Sequence, residues 1–434
     1  MITRPFLGLG KPRLNYPPIE MLKAGSLAEV ALPSRIVLLV RGAYAENGNL
    51  LVKVGDRVKT GERLILTEDK QDYFISTATG LISNISSYTG YLEEPYTSIS
   101  IDAEGEEQWD GEFERSGPSM SRREALRFFK SLPGEPVFAS LINKEPPLEA
   151  LVVNCTDKDL LVTTNQSILK SEFESLKQGV EILRAISGIK RVVVLVPEGM
   201  DVQIEAEDVY VIEIKPVYPA TLPKMVVKNV FGREVPAGET CEAVGLGFIN
   251  AEAVVALALA YKSRRLPVDK VITLIKKDGS CLNLKARIGT PAKDILNAFG
   301  IELAHGDRLI FGGPMTGEAI YSEDTPISYG TDAIMVQDRE HIVRSSDLQC
   351  VNCGECVRAC PAKVPVNMLV RLLQNGLYEE AASRYDLLSC IECGLCSYVC
   401  IARIPLFHYI MLGKYEFAKI KSAEEVNVES EATD

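Results

Sequence analysis

Histidine is scarce in this chain. Three occur in 434 residues, at positions 305, 341 and 408, and none stands in a motif. A His-based acid–base site therefore has little support. Long apolar runs are missing too, since none reaches the roughly 18–20 residues that a membrane-spanning helix needs. The best candidate, VGLGFINAEAVVALALA from Val244, is interrupted by Asn250 and Glu252 and reads as a buried core helix. An excess of basic charge is also absent: 47 Lys and Arg face 59 Asp and Glu, for a net charge of −12. That balance argues against a nucleic-acid partner, because phosphate binding needs clustered cations. The opening MITRPFLGLGKPRL lacks an apolar stretch followed by a small-residue cleavage site, so no signal peptide is expected.

Cysteine, by contrast, is abundant. There are eleven, and in a chain not expected to be exported they suggest metal ligands before disulfides. Eight lie in two runs, CVNCGECVRACP from Cys350 and CIECGLCSYVCI from Cys390. Each run has the C-x2-C-x2-C-x3-C spacing of [4Fe–4S] ferredoxins, in which the fourth cysteine crosses to the other cluster. The first cluster then takes Cys350, Cys353, Cys356 and Cys400, and the second takes Cys390, Cys393, Cys396 and Cys360. Gly354 and Gly394 let backbone N–H groups approach the sulfurs. A pair of structural zinc sites is the plainer alternative. It leaves a third and a trailing cysteine surplus in each run. The proline common after the fourth cysteine is present as Pro361 but replaced by Ile401 in the second run. Cys155, Cys241 and Cys281 stand singly and read as core or loop residues.

The chain divides by rhythm into a multidomain α+β protein. Residues 1–105 alternate short β-rich runs with glycine turns, which predicts a barrel-sandwich domain. Residues 106–119 form an acidic linker, read as exposed. Residues 120–262 alternate apolar strands (LEALVVNC, KRVVVLVP, DVYVIEIKP) with helical pattern, which predicts a Rossmann-like parallel sheet. Residues 263–340 give a hairpin, a helix and further strands, a β-grasp-like module. Residues 341–420 hold the two cysteine runs with two short helices between them, and residues 421–434 form an acidic tail predicted to be disordered.

Within the first domain, VKVGDRVKTGERLILTEDKQDYF resembles the half-barrel of lipoyl and biotinyl carriers, where Lys70 falls near the lysine that is acylated. Gly55 and Gly61 serve the turns whether or not a swinging arm exists, and the barrel without the arm is the reading adopted.

The order of the segments, with YPPIE, VKVGDRVKTGE, FGREVPAGE, RIGTPAKDIL, FGGPMTGEAI and CIECGLCSYVC followed by IPL, resembles the C subunit of the Rnf ion-translocating electron-transport complex. The resemblance implies a peripheral subunit on the cytoplasmic face of the membrane, part of an ion-translocating oxidoreductase. It implies as partners the other Rnf-type membrane subunits and the iron–sulfur B subunit. It also implies FMN in the α/β domain, exchanging hydride with NAD(H). Against that, the family's glycine-rich phosphate loop is replaced by LPGEPVFASLINKEPP, which keeps Gly134 and little else. The family's acidic segment reads NCTDKDLL, leaving Asn154, Asp157 and Asp159 as candidate cofactor-binding residues. A third segment reads VYPATLPK and loses its lysine, glycine and acid. Three departures at one presumed pocket predict that the chain has lost, or never had, a working FMN/NAD site, and that a cytochrome or other protein replaces NAD as redox partner. A rearranged pocket that still binds flavin, as in an NADH-oxidising or cobalamin-reductase-type protein, is the alternative.

Overall fold

The structure, a computed structural model, describes residues 12–17, 27–46, 50–68, 72–116, 132–135, 147–200 and 202–433. Two compact units emerge. One comprises Tyr16–Pro216 with Val244–His341, and the other Met1–Asn15, Val217–Ala243 and Ile342–Asp434.

The first unit is built on three sheet systems. Near its start, the strands Arg35–Arg41, Pro95–Ala103, Gly80–Thr89 and Arg57–Val58 form an antiparallel four-stranded sheet in that order, accompanied by the hairpin Arg63–Ile65 with Tyr73–Ile75. Alternate residues such as Ile36, Leu38, Ile82, Ile99 and Ile101 point into a shared core with Leu66 and Phe74. Lys70 lies outside the described residues.

The second system is a parallel sheet in the order Val209–Ile214, Val192–Pro197, Ala150–Asn154, Leu246–Asn250. Every residue of Ala150–Asn154 and Val192–Pro197 is buried, as parallel strands covered on both faces require. The helix Phe173–Ser187 turns Leu176, Val180 and Leu183 inward at helical spacing. It crosses the helix Ala251–Ser263 so closely that a Cβ at Gly179 would lie 2.1 Å from the Val254 carbonyl oxygen. The stretch from Val244, expected to be all helix, is instead the strand Leu246–Asn250 followed by that helix. The reason is Asn250, whose side chain accepts from the Ala253 N–H at 2.9 Å and caps the helix there.

The third system is a mixed six-stranded sheet in the order Ala28–Glu29, Cys281–Arg287, Asp269–Ile275, Ala333–Gln337, Arg308–Phe311, Glu318–Ile320. The helix Ala292–Ala298 packs Ile295 and Leu296 onto it. Its edge strand Ala28–Glu29 comes from the predicted first domain and pairs in parallel with Leu284 and Lys285, so residues 1–105 do not form one sheet system. The described part of the linker, residues 106–116, is exposed at Glu106, Glu107 and Gln108 but is also fastened. Thr60 exchanges backbone hydrogen bonds with Gln108 and Asp110, Glu107 pairs with Arg287 at 2.6 Å, Glu112 with Arg63 at 3.0 Å, and Phe113 is buried. Its acids find cations on both neighbouring sheets.

The second unit is helical. The short helices Glu355–Ala359 and Leu395–Val399 lie within the two cysteine runs, each carrying the third cysteine, and Val366–Leu373 and Tyr378–Arg384 lie between the runs. Leu369 and Leu373 join the core formed with Val364, Leu387 and Ile404. The last helix runs Leu406–Thr433. It continues through the tail expected to be disordered, because residues 414–433 contain no Gly or Pro and are rich in Ala, Glu and Lys.

Candidate iron–sulfur centres and the carboxyl edge of the α/β sheet

The two cysteine runs fold as near copies. Asn352 and Glu392 have φ of 57°, and each donates its backbone N–H to the sulfur two residues earlier, Cys350 Sγ and Cys390 Sγ, at 3.4 Å. Gly354 and Gly394 adopt φ of 74° and 69° to start the short helices, a conformation that glycine takes without cost. After each fourth cysteine the chain turns identically: Lys363 N–H donates to the Cys360 carbonyl at 3.3 Å, and Arg403 N–H to the Cys400 carbonyl at 3.1 Å. Ile401 in place of proline therefore leaves the backbone unchanged.

These turns bring the thiols together crosswise. Cys350, Cys353, Cys356 and Cys400 line one small cavity, roofed by Val370, Ile404 and Leu406. Cys393 and Cys396 each feel the charge of Cys390 and of Cys360, the last cysteine of the other run. Burial pushes the Cys356 thiol up to about 11 and Cys393 up to about 12, and raises Cys396 as well. A thiol so placed ionises only when a metal replaces its proton. Among the described residues no three His, Cys, Asp or Glu side chains close around a single-ion point. The thiolates of a cubane bind different irons and are not required to converge so tightly. The donor set, four soft sulfurs in each group with backbone N–H groups aimed at two of them, fits [4Fe–4S].

The segment Val217–Ala243, inserted in the chain between two strands of the parallel sheet, belongs to the cysteine unit. Its Tyr218 is 3% exposed and donates its hydroxyl to the Cys393 carbonyl at 2.6 Å, while Gly238 N–H donates to the Leu388 carbonyl at 3.3 Å. Tyr218 of VYPATLPK, the segment that departs from the family's flavin-pocket pattern, thus braces the second cysteine group. Cys241 is buried in the same segment, Cys155 is buried after its strand, and the exposed Cys281 thiol donates to the Leu161 carbonyl.

Ligands of parallel α/β sheets bind outside the carboxyl ends of the strands. Asn154 and Asn250 end neighbouring strands there and are register partners. Asn154 Oδ1 accepts from the Thr156 N–H at 3.0 Å and the Thr156 hydroxyl at 2.5 Å. The buried Asp157 carboxylate accepts from Asn165 N–H at 2.7 Å and Gln166 Nε2 at 2.9 Å, and burial raises it to about 7. Asp159 points elsewhere. It accepts from the Met315 and Thr316 N–H groups and the Thr316 hydroxyl of the third sheet system, and burial raises its carboxyl. The structure therefore does not gather the three candidates at one ligand, and Asn250 was not anticipated. Its side chain donates to the Gly134 carbonyl at 2.9 Å, and Gly134 N–H is taken by the Tyr329 carbonyl. Glu135 N–H donates to Leu132. Within the described residues 132–135, the Gly134 and Glu135 N–H groups are both taken by backbone carbonyls, so neither is free to hold a phosphate in this conformation.

Beside this edge lies a buried ion cluster that the sequence reading also missed. Lys270 is fully buried, paired with Glu252 and 3.6 Å from Asp332. Burial alone would lower the ammonium, but Glu252 and Asp332 outweigh it and hold Lys270 above its usual value.

Mixed α/β architecture with paired tetrathiol groups defines an iron–sulfur protein of multidomain build. The Nuo51 FMN-binding domain family matches residues 136–259, and a 4Fe-4S dicluster domain family matches residues 341–401. The C subunit of the proton-translocating ferredoxin:NAD(+) oxidoreductase complex of Clostridium ljungdahlii is 27% identical over 383 residues, covering 82% of each chain. The C subunits of the ion-translocating oxidoreductase complexes of Klebsiella pneumoniae and Vibrio cholerae are 26% and 29% identical, over 94% and 80% of this chain. This chain spans about half the length of those two relatives, 56% and 47%. It is a homologue of these proteins. Among solved structures, an NAD+-reducing [NiFe]-hydrogenase matches 70% of this chain and 65% of its own at 12% identity with a TM-score of 0.46.

Proposed function

We propose that this chain is the peripheral electron-transfer subunit of an Rnf-like membrane complex that couples electron transfer to ion translocation. It lies on the cytoplasmic face of the membrane with the other Rnf-type subunits. The observation that carries the reading is the crosswise grouping of the eight cysteines. One group, Cys350, Cys353, Cys356 and Cys400, holds the first [4Fe–4S] cluster, and Cys390, Cys393, Cys396 and Cys360 hold the second. When bound, each cluster takes up and releases one electron. The chain's residues do the rest: the Asn352 and Glu392 N–H groups favour the thiolate charge, Tyr218 fixes the loop of the second group, and Val370 and Leu406 keep water from the first. Ion translocation belongs to membrane subunits, since no helix of the described residues is long and apolar enough to cross a bilayer. The sheet systems support a barrel-sandwich, a Rossmann-like layer and a β-grasp module in that order.

One redox partner is the iron–sulfur B subunit. At the other end the replacement of the glycine-rich loop by LPGEPVFASLINKEPP favours a protein partner such as a cytochrome over FMN and NAD(H). The match of residues 136–259 to an FMN-binding family favours a second reading, an FMN-dependent NADH-oxidising subunit. Anaerobic redox titration followed by EPR tests the proposal. Two clusters, each reduced by one electron at low potential, support it. Clusters that resist reduction would mark them as structural staples.

A further inference from the structure

The second cysteine run repeats the first forty residues on, so each residue around one group has a counterpart at the other. The correspondence reaches past the runs, since Lys363 and Arg403 close the same turn. Each copy carries an ion pair that the other lacks, and each pair reaches a cysteine carbonyl. In the first copy Arg358, paired with Glu355, donates to the Cys353 carbonyl at 2.8 Å; the counterparts of this pair are Tyr398 and Leu395. In the second copy Lys414, on the helix Leu406–Thr433, donates its Nζ to the Cys390 carbonyl at 2.8 Å and pairs with Glu392 at 2.6 Å. The counterparts here are the exposed Gln374 and Asn352, two neutral amides.

The two pairs differ in their access to water. The Arg358 side chain is 58% exposed and Lys414 only 17%, so solvent screens the first pair far more than the second. Lys363 and Arg403 are exposed as well, occupy matching places and do not distinguish the groups. The Lys414 charge reaches the sulfur: burial raises the Cys390 thiol, and Lys414 is the main counterweight. A cation that favours negative charge on this thiolate also favours the added electron of a reduced cluster, since both place negative charge at the same centre. Glu392 acts in the opposite sense. Its backbone N–H donates to Cys390 Sγ at 3.4 Å, which keeps the residue beside the group. Its side chain is 44% exposed, so its effect is the weaker of the two.

We infer that Lys414 raises the reduction potential of the second cluster and that Glu392, its counter-ion, limits the rise. The last helix of the chain thereby sets how readily that cluster takes up an electron. This inference rests on the two-cluster reading above. Lys414 is a positioning residue of charge: it ligates no iron and acts through its contact with the Cys390 carbonyl.

The test uses the full chain, purified anaerobically with its clusters and titrated with dithionite in the presence of redox mediators while EPR spectra are recorded. The signal altered in Cys393→Ser marks the second cluster. Iron and sulfide are measured for every variant. Lys414→Met is expected to lower the midpoint of that signal, so that the reduced-to-oxidised ratio at a fixed potential falls about tenfold, or about 59 mV for one electron. Glu392→Gln is expected to raise the midpoint by a smaller shift, and Lys414→Arg to stay near wild type. The midpoint of the first cluster is expected to hold in all three. The inference is overturned if the two charge-removing variants shift the midpoint in the same direction, or if both clusters move equally. Loss of second-cluster iron from Lys414→Met with an unchanged midpoint in Glu392→Gln would mark a merely structural contact and overturn it too. Should Lys414→Met not retain the cluster, the upward shift in Glu392→Gln alone supports the inference. A chain without clusters would sink the two-cluster reading itself, whereas full clusters with midpoints indifferent to these variants would sink only the role of the ion pair.

Discussion

Replacing Lys270 by methionine should expose how the parallel sheet is joined to the third sheet system. The side chain is fully buried and faces Glu252, itself 6% exposed, and Asp332. Glu252 also accepts from the Val271 N–H at 2.9 Å, so it cannot swing away without abandoning a second bond. Methionine fills much of the volume but leaves two carboxylates near one another with no cation. Breaking such a pair from one side costs about 3–5 kcal/mol. The cost has a definite pH sign. Burial already raises the Glu252 carboxyl above its ordinary 4.5, with Lys270 the main counterweight. Without that counterweight it rises further. Above pH 4.5 the unfolded chain has lost this proton while the folded chain keeps it. Stability then falls with pH by about 1.4 kcal/mol per unit until the folded value is reached. The assay is hydrogen exchange of amides in Ala251–Ser263 and Asp269–Ile275, corrected for the intrinsic rate. At pH 8 the variant should exchange roughly 150- to 5,000-fold faster than wild type, and at pH 5.5 clearly less so. An equal acceleration at both pH values, or less than about fivefold at pH 8, would refute the reasoning.

Single contacts and the ligand sets supply three further predictions. Tyr218→Phe strands the Cys393 carbonyl and should cost about 1–3 kcal/mol, read as faster loss of the second cluster's EPR signal on mild chelation while the first is retained. Asp159→Asn gives up a carboxylate that accepts from Met315 and Thr316; exchange at those two amides should rise by about one to two orders of magnitude, from the ~1.5–3 kcal/mol of bonds to a charged acceptor. Serine variants should sort crosswise by EPR: Cys360→Ser should leave the same surviving cluster as Cys393→Ser, and Cys400→Ser the same as Cys353→Ser. Sorting by run instead would break the ligand assignment.

The cysteine runs stand out in the sequence because their spacing is a local constraint, with three thiols in seven residues and a duplication to offer the fourth; the structure sets Cys350, Cys353, Cys356 and Cys400 around one cavity. The strands Ala150–Asn154 and Val192–Pro197 were legible for a similar reason, as continuous apolar runs bounded by polar ends. What escaped depends on distant partners. Nothing near Tyr218 says that it will meet Cys393, 175 residues on, and the acids at 107 and 112 look solvated until Arg287 and Arg63 arrive from elsewhere. Asp159 kept its acidic character but serves a loop at 315–316, not a ligand. Asn250 could have been suspected, as a strong helix-capping residue at the boundary of an apolar run. The apolar continuity of residues 244–260 hid the change from strand to helix, because buried strand and buried helix share that composition.

The central claim is a two-cluster relay whose α/β domain does not hold FMN in the family's manner. Quantitation of iron, sulfide and flavin on the anaerobically purified chain, followed by titration with NADH, tests it most directly. The account predicts about eight iron and eight sulfide per chain, flavin well below one per chain, and no bleaching by NADH. About one FMN per chain with bleaching by NADH would contradict it, as would iron near two per chain with no sulfide.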